Sequence, residues 1–134
     1  MDEQVNTELV RVDRWSKILA LCFAMALFAL ASVLTPHVQF NASAAAVGGI
    51  GIRLYIPYHA GVSGYGLDSV PSQARPETGN YNHGAVGGGL VAGSLAAIAG
   101  MVLTSRYGVA LAAGLGVAVV TYLGLRALLP LGAE

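Results

Sequence analysis

The sequence predicts an all-α membrane protein with three transmembrane helices and a small extramembrane segment, and three observations lead there. The first is composition: of 134 residues, 55% are hydrophobic and only 10% are charged, where soluble domains carry about 25% charged residues. Mean hydropathy is +0.65. So few polar groups cannot face water over a whole domain, whereas lipid can cover apolar side chains. The second is three long runs nearly free of charge. The third is the placement of basic and aromatic residues at the ends of those runs, where headgroups attract them.

Residues 1–17 form a charged lead holding Arg11, Arg14, Trp15 and Lys17. The first span follows over 18–35, near the roughly 20 residues that cross about 30 Å of hydrocarbon. Pro36 ends it, because proline disfavours helical geometry in the residue before it. A cleaved signal peptide is the competing reading, but the apolar run exceeds the usual h-region and the charged lead is long. A retained anchor fits better.

The second and third spans are predicted over 83–103 and 109–129. Only residues 104–108 separate them, which makes the two helices antiparallel neighbours. Residues 130–134 are a tail.

Residues 36–82 are expected to be extramembrane. Within 38–58, Ile50, Ile52, Leu54 and Ile56 alternate with Gly51, Arg53, Tyr55 and Pro57. Alternation is the strand period, and Gly48-Gly49 can turn a hairpin. A β-hairpin outside the bilayer therefore competes with a fourth span and fits the alternation better. Residues 59–82 have loop composition, rich in Gly, Pro, Ser and Asn.

Lys and Arg flanking the first span place the N-terminus on the cytoplasmic side. Three crossings then put 36–82 outside and 104–108 inside, in a multi-pass protein of the cell membrane. A four-span arrangement puts Arg75 inside and Arg106 outside, and satisfies the charge rule about equally.

The strongest pattern is small residues every four positions. Gly89, Gly93 and Ala97 form one stripe; Gly108, Ala112, Gly116, Val120 and Gly124 form another. Such stripes let helix backbones approach closely. They predict contact between the two hairpin helices, with association between chains as the competing use. His37, His59 and His83 are the weak candidates for haem or copper, since His37 ends one span and His83 opens another, at the same expected depth. Arg126 sits in the last run, a turn from its end, where it can snorkel to water or meet Asp68, Glu77 or Glu134. Asn41-Ala42-Ser43 is a glycosylation sequon if exposed outside. Cys22, alone in an apolar run, reads as a small hydrophobe.

No phosphate loop, nucleophile elbow or intramembrane carboxylate relay is present in the sequence. Lys and Arg number 7 and so do Asp and Glu, so no global basic field suggests nucleic acid. The reading is a non-enzymatic membrane protein of structural or interaction role: a scaffold, an accessory subunit or a component of a membrane-containing particle. No cofactor is expected. Its partners are membrane lipid and either further copies of itself or a larger membrane complex, recognised through 36–82. The alternatives are a small redox subunit and an oligomeric channel or transporter component.

Overall fold

The computed structural model of the chain describes residues 2–60 and 81–128, and they form four α-helices with no strand among them. These are α1 (Asp2–Leu34), α2 (Val38–Ala60), α3 (Tyr81–Thr104) and α4 (Tyr107–Leu128). The expected loop over 61–80 and the tail over 130–134 lie outside the described residues.

Three stretches are long and apolar enough to cross a membrane: Val10–Leu34 with 25 residues, and His83–Thr104 and Tyr107–Leu128 with 22 each. They correspond to the three predicted spans, the first of them inside a helix that begins at Asp2. The turn expected over 104–108 is confined to Ser105-Arg106. The β-hairpin over 38–58 is not formed, and α2 takes its place. The fourth span left open by the sequence is not borne out either, because α2, long enough at 23 residues, falls short of the hydropathy that the other three reach.

The reason for a helix here lies in its neighbours. Residues 42 and 44–46 are alanines, the best helix formers, and the glycines of the alternating stretch serve close packing on two sides. A Cβ on Gly49 would stand 3.0 Å from Ala24 Cβ of α1, and one on Gly51 would stand 2.7 Å from the Gly87 carbonyl of α3. The apparent period of two thus reflects a helix gripped on opposite flanks.

Contacts run mainly in chain order, α1 on α2, α2 on α3 and α3 on α4. Each helix is antiparallel to the next: Gly48 lies against Leu27 and Phe23, Gly51 against Gly87 and Val91, Gly89 against Ala118, and Gly100 against Ala110. Both short turns, 35–37 and 105–106, therefore fall at one end of the bundle, here the turn end. The start of α1, the end of α2, the start of α3 and the end of α4 share the other, the terminal end.

The core lies in the half nearer the turn end. It joins Leu27 and Ala31 to Phe40, Ala44, Ile98, Met101 and Ala110. Outward surfaces stay apolar: Val33, Leu103 and Leu128 are each more than 80% exposed. In water such a surface would drive aggregation; against acyl chains it is in its proper solvent. The fold is compatible with a small multi-pass membrane protein.

Candidate functional site

A polar cluster joins α1 to α2. Ser16 is fully buried, donates from Oγ to the Asp13 carbonyl at 2.7 Å and accepts from Arg53 Nη1 at 2.9 Å. Arg53 also pairs with the Asp13 carboxylate, which Lys17 meets at 2.9 Å one helical turn away. Arg53 is thus the positive charge of α2, and its charge and two of its N–H groups are matched within the protein. Burying a guanidinium is tolerable under that condition and costly otherwise. Sequence reasoning missed this site, although an arginine inside an apolar run asks for a carboxylate, and Asp13 was available in the charged lead.

At the turn end, Thr35 and Asn41 close the connection between α1 and α2. Asn41 Nδ2 donates to the Thr35 carbonyl at 3.0 Å, and Thr35 Oγ1 donates to Asn41 Oδ1 at 3.3 Å. The His37 amide donates to Thr35 Oγ1 at 3.2 Å. Asn41 has no exposure, so the nitrogen that would carry a glycan is both buried and engaged. The sequon at Asn41 is not an accessible acceptor in this fold.

His37 Nδ1 lies 3.2 Å from the Tyr107 hydroxyl, and the Tyr107 ring stands edge-on to both His37 and Phe40. This contact joins the two turns. His37 and Tyr107 thus share one end of the bundle, where the sequence reading sets 36–82 and 104–108 on opposite sides. The fold also separates the histidines: His37 stands at the turn end, while His83 opens α3 at the terminal end. His59 falls in the last turn of α2, and its side chain lies outside the described residues. No group of three metal-ligating side chains occurs among the described residues.

The two small-residue stripes have different fates. On α3, a Cβ at Gly93 would stand 2.7 Å from Ala118 Cβ and 2.8 Å from the Gly114 carbonyl, and one at Gly89 would stand 2.8 Å from the Ala118 carbonyl. Ala97 is buried in the same interface. On α4 the contact is made by Ala110, Gly114 and Ala118. The predicted stripe of Gly108, Ala112, Gly116 and Gly124 is exposed, and a Cβ at Gly108, Gly116 or Gly124 would meet nothing within 4 Å. The expected α4 side of the hairpin contact is therefore wrong by about half a helical turn.

No family model, curated protein or solved structure matches this chain.

Two further features complete the surface. Arg126 is exposed, and its Nη1 donates to the Tyr122 hydroxyl at 3.4 Å, a turn earlier in α4; Asp68, Glu77 and Glu134 lie outside the described residues. An open apolar groove of about 230 Å³ runs between α2 and α4 over α3, from Phe40 and Leu111 to Leu90 and Ala118. Ser43 and Ser94 line it, but each hydroxyl donates to a carbonyl of its own helix. The groove therefore offers shape without free polar groups.

Proposed function

We propose that the chain is a non-enzymatic multi-pass membrane protein of structural or interaction role, and that it assembles with further copies of itself or within a larger membrane complex through the outer face of α4. The observation that carries this reading is the unmatched stripe of Gly108, Ala112, Gly116 and Gly124. Glycine inside a helix costs about 1 kcal/mol relative to alanine, and inside this bundle the stripe returns nothing for that cost. Close approach of a second helix does return it, through van der Waals contact between backbones. A scaffold, an accessory subunit and a component of a membrane-containing particle are the roles this reading covers. Of the expected recognition surface over 36–82, residues 38–60 belong to a helix within the bundle and 61–80 lie outside the described residues; the exposed face of α4 is a further candidate beside it.

The redox alternative has less support, since His37 stands at the opposite end from His83 and from the last turn of α2 that holds His59. Assembly into a channel or transporter shares the same α4 face and differs only in what the assembled helices enclose.

Native mass in lipid nanodiscs tests the reading. The wild-type protein is expected as a multimer and Gly116→Leu as a smaller species with unchanged thermal stability. A wild-type monomer at all protein-to-lipid ratios contradicts self-assembly.

A further inference from the structure

Two rows of side chains run down the side of α1 that is turned away from α2. One is Arg11, Ile18 and Met25, and the other is Arg14, Leu21 and Phe28. Their spacing is close to two helical turns, so each row keeps to one face. The side toward α2 holds other residues. Ser16, Ala20 and Leu27 are buried there, Ala24 meets Gly49, and Asp13 meets Arg53. In the outer rows Ile18, Leu21, Met25 and Phe28 are all exposed.

Charge divides between the same two sides. Asp13 is taken by Arg53 and Lys17. Arg11 and Arg14 are exposed and pair with no other described side chain. Asp2, Glu3 and Glu8 come before Val10 on the helix, farther from the apolar run, and their side chains lie outside the described residues. Helix length then sets depth. Val10–Leu34 has 25 residues, about 37 Å at ~1.5 Å per residue, against about 30 Å of hydrocarbon. Measured back from Leu34, the roughly 20 residues that cross hydrocarbon end at Trp15. Trp15 thus stands at the boundary that indoles favour, with Arg14 and Arg11 just beyond it, at the depth of lipid phosphates.

We infer that this face of α1 binds an anionic phospholipid, its phosphate held by Arg11 and Arg14 and its acyl chains lying along the two apolar rows. The inference rests on the membrane reading above. A guanidinium presents paired N–H groups that fit phosphate oxygens, and residues three apart on a helix are neighbours that can share one headgroup. Arg53 does not compete for the lipid, because Asp13 meets its charge. A choline headgroup carries its own cation, which the arginines repel, whereas a glycerol headgroup carries none. The site therefore selects phosphatidylglycerol over phosphatidylcholine.

Trp15, the chain's one tryptophan, reads the lipid beside it, since bromine on an acyl chain quenches indole emission on contact. The full chain is placed in vesicles of brominated phosphatidylglycerol with plain phosphatidylcholine, and in vesicles with the bromine on the other lipid. The wild type is expected to favour phosphatidylglycerol by about fivefold or more, the attraction of one surface cation to anionic lipid. Arg11→Gln with Arg14→Gln should bring the two lipids to parity. Added salt should weaken the wild-type preference, a readout that needs no variant. Parity in the wild type overturns the inference, as does a preference that survives the double substitution or ignores salt. Flotation of the vesicles keeps the two readings separate: a chain that does not float contradicts the membrane reading itself, whereas a floating chain at parity contradicts only the lipid site.

Discussion

The two faces of α4 carry the same kind of residue at the same spacing and do different things. Toward α3, Gly114 and Ala118 leave room for Gly93, and carbonyl oxygens of each helix lie close to where a Cβ on the other would be. Away from α3, Gly108, Gly116 and Gly124 meet nothing. Spacing alone does not say which surface a stripe serves, because positions 110, 114 and 118 and positions 108, 112 and 116 both repeat every four residues. What separates them is which one the neighbouring helix fills.

The largest effect that sharpens this contrast is expected at Gly93. A leucine there must displace the backbone of α4, since the obstacles are Ala118 Cβ and the Gly114 carbonyl and not the flexible end of a side chain. Gly93→Leu and Gly114→Leu should each lower stability by about 1–3 kcal/mol, the range typical of overpacking, read as thermal unfolding in detergent. Gly116→Leu should leave the melting temperature where it is. Equal losses at all three positions would erase the distinction between the faces.

How far the sequence reveals the structure depends on what each element touches. α1, α3 and α4 are legible because lipid-facing helices must be apolar around most of their girth, a signal that needs no knowledge of neighbours. The Gly89/Gly93/Ala97 stripe is legible for a similar reason, since α3 has partners on two sides. α2 is not legible: α1 and α3 pack against opposite flanks of it, so its glycines imitate alternation, and Asn41 and Arg53 find partners in Thr35, Asp13 and Ser16. From that one misreading followed the common depth assigned to His37 and His83, which stand at opposite ends of the bundle. Arg53 was the available clue, since a cation in an apolar run implies a nearby carboxylate.

A smaller effect is expected where α1 meets α2. Arg53→Gln removes the charge that faces Asp13 and should cost an amount between the ~0–1 kcal/mol of exposed pairs and the ~3–5 kcal/mol of fully buried ones, because the side chains of Arg53 and Asp13 are 26% and 40% exposed. Asp13→Asn should cost less in the Arg53→Gln background than in the wild type, since only the Lys17 pair is then left to lose. Thermal unfolding of the two single variants and the double variant measures the coupling. Strict additivity would mean that the pair contributes nothing to holding α2 in place.

The division of labour on α4 is tested most directly by disulfide formation between copies in native membranes. Gly116→Cys and Met25→Cys, each on a Cys22→Ala background, place one thiol on the proposed assembly face and one on an exposed face of α1, a helix without glycine. Mild oxidation is expected to give a covalent dimer with Gly116→Cys and none with Met25→Cys. Equal yields at the two sites, or none at Gly116, would contradict the account and leave the outer glycines of α4 without a partner.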